Sequence, residues 1–124
     1  MANGNRGEST IEINGRMVTL RPTMEAISNI EFELNRSVLD IVRSNGPAGP
    51  DGLPTAFNLK MREVGIILYQ AIRVIPENAW ADREIILEDV YSHLADRTAR
   101  AFLFLVMALN VGDDDPALDQ LKKK

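Results

Sequence analysis

The sequence predicts a mainly α fold with an N-terminal β-hairpin, a small α+β domain of four to five helices around a buried C-terminal helix. Three observations predict it. First, Ala101 to Val111 reads AFLFLVMALNV, in which only Asn110 is polar. A helix that is apolar on every side must be wrapped by other elements, and this one is too short to span a bilayer, which takes roughly 20 residues. Second, an Asn14-Gly15 pair separates two short alternating stretches, the strongest short-range hairpin signal. Third, apolar residues at helical spacing recur through the remaining chain, broken by capping residues and prolines.

From the N-terminus, 1–6 is small and polar and is expected as a mobile tail, with a single domain over 7–112. Ser9 to Ile13 and Arg16 to Leu20 flank the turn, since a type I′ turn takes positive φ at both central residues. That turn sets Ile13 opposite Arg16, Glu12 opposite Met17 and Ile11 opposite Val18. Side chains alternate between faces, so Ile11, Ile13, Val18 and Leu20 share one greasy face. Thr10, Glu12, Met17 and Thr19 take the other. A lone hairpin is marginal in water, so the greasy face should lie on helices.

Thr23 can cap a first helix over about 24–35, with Glu25 in the first turn where the dipole favours an anion. Its stripe is Met24, Ile27, Ile30 and Leu34. Ser37 with Asp40 starts a short helix over about 37–43, carrying Val38, Leu39, Ile41 and Val42. Ser44 to Thr55 holds three glycines and three prolines and reads as a long loop. A third helix is expected over about 57–74, with the stripe Phe57, Met61, Val64, Leu68, Ala71, Ile72 and Ile75, ended by Pro76. Gly65 inside it costs roughly 1 kcal/mol against alanine unless it permits close packing.

Glu77 to Ala81 connects onward and carries the single tryptophan, Trp80. Asp82 can cap a fourth helix over about 82–92, with Ile85, Ile86, Val90 and Leu94. The fifth runs over about 96–111, with Gly112 as its stop. Asp113-Asp114-Asp115-Pro116 opposes a helix C-terminus in charge and backbone. The end, 113–124, is expected to be a second mobile tail.

Composition narrows the function classes. The chain has 124 residues, which fits one domain, and a net charge of −4 from 18 acidic and 14 basic residues. That balance argues against nonspecific nucleic-acid binding, which needs a basic face. Cysteine is absent, so disulfides, thiolate metal sites and thiol nucleophiles are excluded. The first ten residues carry no apolar core of a secretory signal, and a cytoplasmic protein is expected.

No residue set carries catalysis, and neither a cofactor site nor a metal site is expected. His93 is the single histidine, and its neighbour Ser92 points elsewhere on a helix, so a Ser-His-Asp set does not form. Asp113 to Asp115 lacks the spaced ligands of a calcium loop. Glu31 and Glu33 with Glu84, Glu88 and Asp89 lack the Glu-x-x-His of di-metal bundles. No phosphate-binding glycine motif is present. Lys122 to Lys124 reads as a solubilising tail.

Surplus apolar surface is the better lead. Ile66, Ile67, Tyr69 and Val74 fall outside the stripe of the third helix, and Phe102, Phe104, Val106 and Met107 spread around the fifth. Trp80 is either an interface anchor or a lid on the core. If one core does not cover them all, Ile66, Ile67, Tyr69, Trp80, Phe102, Phe104 and Met107 would line a groove for an amphipathic helix or a homo-oligomer contact. The alternative is that everything packs internally.

Arg6-Gly7-Glu8, a strand, the Asn14-Gly15 turn, a second strand and then TMEAISNIE at Thr23 to Glu31 resemble the N-terminus of a phage family. This is the tail-assembly-chaperone-like family of gene transfer agents and long-tailed phages. Its members share the order RGE, strand, Asn/Asp-Gly, strand and a helix beginning Thr-Leu with an Ala and an Ile/Leu-Glu pair. The likeness covers Arg6 to about Val42. Beyond that the layout agrees: a short helix, a linker, a third helix and an apolar C-terminal helix pair. The chain departs from the pattern in its long Ser44 to Thr55 linker and in Phe102 and Phe104, where smaller residues are the norm. The matched residues correspond to turn, cap and core positions, not to catalytic ones.

The resemblance implies a protein that binds the tape measure protein during tail assembly in the host cytoplasm and is absent from the finished particle. Three rival readings stand beside it. One is a small virion component, such as a tail-tube or neck adaptor whose hairpin adds a strand to a neighbour's sheet. The second is a host regulatory or antitoxin-like binding module, which would carry a basic recognition helix that this sequence does not display. The third is an enzyme, which lacks residues to carry it.

Overall fold

The structure, a computed structural model, describes residues 9–45 and 57–113, with side chains to residue 110. It is mainly helical with a two-stranded antiparallel hairpin at the N-terminal side. The expected N-terminal tail, the C-terminal tail past Asp113 and most of the Gly/Pro loop fall outside the described residues.

Strands β1 (Ser9–Ile13) and β2 (Arg16–Leu20) pair in the register expected from the turn, Ile13 with Arg16 through Ser9 with Leu20. Asn14 and Gly15 take φ of 53° and 79°, the left-handed values a type I′ turn needs. Ile11, Ile13, Val18 and Leu20 are all buried on the helices. Helix α1 (Met24–Leu34) starts at Thr23, whose side chain accepts from the Ala26 N–H, and ends at Asn35 with φ 55°. Helix α2 (Val38–Arg43) starts at Ser37, which accepts from the Asp40 N–H. The Glu31 carboxylate accepts from the Val38 N–H at 2.8 Å, so α1 also caps α2. Asn45 then ties the two ends of the Gly/Pro segment together. Its amide donates to the Ile41 carbonyl, and its oxygen accepts from the Asn58 N–H.

Helix α3 (Met61–Arg73) begins four residues later than expected. Phe57 precedes it and packs edge-on against Phe102, ring centroids 5.5 Å apart. A 3-10 turn at Pro76–Asn78 follows, then α4 (Arg83–Ser92), capped by Asp82 as expected, and α5 (Leu94–Asp113). Only His93, exposed, separates the last two helices. Gly112 does not stop α5, which runs through it to Asp113.

The central helix is α3, not the apolar run 101–111. Helix α3 touches α1, α4, α5 and β2, and its buried residues, Val64 to Leu68 and Gln70 to Ile72, cover all but the face of Arg62, Tyr69 and Arg73. In α5, Ala101, Phe102, Phe104 and Leu105 are buried, Leu103 is exposed, and Val106 to Leu109 are half-buried. The apolar run is thus buried on one side, against α2, α3 and α4, and α3 holds the more enclosed position. The central one carries arginines and a glutamate at its ends and is less obvious in the sequence. Met24 and Met61 also leave the stripes assigned to them, because each sits in the first turn of its helix, past the end of the core.

The hairpin is fastened to α5 by polar groups. Arg97 is buried; it donates to Asp89 Oδ2 at 2.6 Å and Oδ1 at 3.2 Å, to Asp96 at 2.6 Å and to the Glu12 carbonyl at 2.6 Å. Bonding to Asp89 holds the guanidinium more firmly protonated, against the opposing effect of burial. Arg100 donates to the Thr10 carbonyl at 3.1 Å. Thr10 and Glu12 occupy the positions of β1 whose carbonyls point away from β2, so two arginines cap its outer edge. On the other edge, Asn78 donates to the Thr19 carbonyl.

Candidate functional site, a groove on the outer face of α3 and α4

The seven residues expected to offer surplus surface do not stay together. Ile67 and Phe104 are at most 1% exposed, and Ile66 and Phe102 are buried as well. The expectation that they are surface residues is corrected: α3 is enclosed on nearly all sides, and Phe102 and Phe104 face inward from α5. Trp80 is half-buried against the core, with Arg16 stacked 4.0 Å above its ring. Met107 is half-buried on α5. Only Ile66, through the small part of it that stays accessible, and Tyr69 line one depression together, on the outer face of α3.

That face holds a groove. One depression of about 200 Å³ is lined by Arg62, Gly65, Ile66, Tyr69, Arg83 and Leu87. A second, of about 480 Å³, is lined by Met61, Glu84, Leu87, Glu88, Tyr91 and Ser92. Leu87 belongs to both, so the two join into one strip along antiparallel α3 and α4. The strip continues past Tyr69 to Phe32 on α1, which is 86% exposed. Tyr91, at 74%, lies at the other end. Exposed Leu, Met and aromatic side chains gathered in one strip are the usual mark of a contact surface.

Local sequence explains the shape. Gly65 has no side chain, and a Cβ there would lie 3.1 Å from Leu87 Cδ1. The glycine therefore lets α4 approach α3 and keeps the floor of the groove low. On α4, Leu87 and Tyr91 lie four residues apart and so share a face, on the flank next to the buried Ile86 and Val90. Arg83 spans the rim. It donates to both Glu33 oxygens, at 2.7 and 3.0 Å, and stacks 4.5 Å above the Tyr69 ring. This bond holds the Glu33 carboxyl below the usual range, with burial opposing and a Gln70 hydrogen bond assisting.

The groove presents van der Waals surface with charged rims, which is chemistry for binding a side chain or helix. Glu33 is spent on Arg83, and Asp89 on Arg97. Among the described residues, no group of three or more His, Asp or Glu is placed to hold a metal ion. No helix among them is long and apolar enough to cross a membrane.

The residues that form the groove were partly readable. Leu87, Tyr91 and Phe32 are apolar residues outside the inward stripes of their helices, the signal applied to α3 and α5 but not to α1 and α4. The role of Gly65 needed the position of Leu87, which no sequence pattern supplies. Comparison with known proteins returns no match to a family model, a curated protein or a solved structure.

Proposed function

We propose that this chain is a tail-assembly-chaperone-like protein of a phage or prophage, a binding protein rather than an enzyme, which holds the tape measure protein in the host cytoplasm. The observation that carries the reading is the exposed apolar strip from Phe32 through Tyr69 and Leu87 to Tyr91. It suits the apolar stripe of a long helical client laid in a groove. The likeness over residues 6–42 supplies the kind of client. Holding would be transient: the groove covers the client's stripe until the polymerising tube replaces it.

The capped β1 edge favours this reading over a virion component that adds a strand to a neighbouring sheet. Carbonyls that strand addition would use are already bonded to Arg97 and Arg100. The groove carries Glu33, Glu84 and Glu88 beside Arg62 and Arg83, not the continuous basic face that nucleic acid requires.

The test is co-expression with the tape measure protein encoded nearby, with affinity capture through this chain. The client should become soluble and co-purify, and Tyr91→Asp should abolish capture. That substitution should shift stability by no more than about 0.5 kcal/mol, because the side chain is exposed. An insoluble client with nothing captured would overturn the reading, and recovery of the chain in purified particles would replace it with the virion component.

A further inference from the structure

The two rims of the groove differ in charge. On the side toward α1 Arg83 is bonded to Glu33 and Arg73 to Glu25, while Arg62 stands without a bonded carboxylate among the described residues. Arg62 lies one helical turn before Ile66 on α3, so it lines the strip from the α3 side, across from α4. On the far side, α4 presents Glu84 and Glu88 beside Leu87 and Tyr91. These two carboxylates lie four residues apart on one helix face, where like charges repel. Among the described residues no cation of the chain is bonded to either.

We infer that the groove takes a charge-segregated amphipathic helix from a partner chain. The apolar stripe lies over Leu87, a Lys/Arg flank faces Glu84 and Glu88, and an Asp/Glu flank faces Arg62. Direction follows from this. Reversing a helix in a groove exchanges its two flanks, so only one chain direction places the basic flank on α4. The groove therefore selects both the composition and the polarity of the bound helix. The inference rests on reading this face as a docking groove, and not on which partner supplies the helix.

Three synthetic helices of equal length and identical leucine stripe test it: one with Lys on one flank and Glu on the other, one with Lys on both, and one with Glu on both. Binding to the whole chain is followed by fluorescence anisotropy. The segregated helix should bind roughly fivefold tighter than the all-Glu helix at low ionic strength, and the gap should close at high salt. Glu84→Gln/Glu88→Gln should remove the discrimination against the all-Glu helix while leaving the fold intact. A spin label on the peptide N-terminus should broaden amide signals at one end of the groove, Met61 or Tyr69. Exchanging the flanks should move the broadening to the other end. Equal binding of all three helices overturns the charge inference and leaves the groove reading standing. Binding of none, or burial of Tyr91 in a dimer of this chain seen by sedimentation, overturns both.

Discussion

Two regions of this small domain treat polar and apolar groups in opposite ways. Where α5 meets the hairpin, a charged network is taken out of water and satisfied: Arg97 with Asp89, Asp96 and the Glu12 carbonyl. On the outer face of α3 and α4, Leu87, Tyr91 and Phe32 are left in water. The first region ties the sheet to the helices and closes a strand edge. The second leaves apolar surface uncovered by the described residues, although Ile86 beside Leu87 and Ile30 two residues before Phe32 are buried. The difference teaches where stability and binding are separated: substitutions at the network should unfold the protein, and those on the outer face should leave it folded and disarm it.

The largest effect should fall on the network. Arg97→Ala leaves Asp89 buried without its counter-ion and should destabilise by about 3–5 kcal/mol in urea unfolding. Arg97→Met combined with Asp89→Leu should recover most of the loss, because no buried charge then remains unpaired. A double variant as unstable as the single would break the account of the pair. Phe104→Ala should cost a similar amount, about 3–5 kcal/mol, by emptying a filled core position. A loss of client binding with stability unchanged would instead return Phe104 to the surface role its sequence context suggested.

Gly65→Ala sharpens the comparison, since it acts on both properties. Alanine favours the helix by roughly 1 kcal/mol, and its methyl meets Leu87 Cδ1, the mobile end of a partly exposed side chain. Thermal stability should hold or rise slightly, while the raised groove floor should weaken client capture. Equal loss of both would mean that α4 cannot yield.

The smallest effect concerns pH. Arg83 depresses the Glu33 carboxyl in the folded state, so the folded state binds that proton less readily than the unfolded chain does. The stabilisation is present above the unfolded carboxylate value and is lost as pH falls through the folded one. Stability should therefore be flat near neutrality with respect to this group and decline in acid. Glu33→Gln should flatten part of that decline at a cost below about 1 kcal/mol at pH 7, because the pair is partly exposed. An acid profile unchanged by Glu33→Gln would remove the pair from the account.

Local chemistry made much of the fold legible. The Asn14-Gly15 turn fixed the register and faces of the hairpin, and Thr23, Ser37 and Asp82 marked three helix starts by their side-chain oxygens. Those signals need only neighbours in sequence. The identity of the central helix was not legible, because burial on most sides depends on how many elements surround a helix, not on how apolar it is. Nothing beside Arg97 in the sequence marks it for burial. Its role depends on a carbonyl 85 residues away. For the same reason the most apolar runs fill the core, and the exposed apolar surface falls on scattered residues such as Leu87, Tyr91 and Phe32.

The most direct test of the central claim is amide NMR of the isotope-labelled chain titrated with a helical segment of the tape measure protein. The account predicts that the perturbed amides trace the groove, at Met61, Gly65, Leu87 and Tyr91, while the hairpin stays silent. Perturbations gathered at Thr10 and Glu12 on the β1 edge, with the groove unchanged, would contradict it.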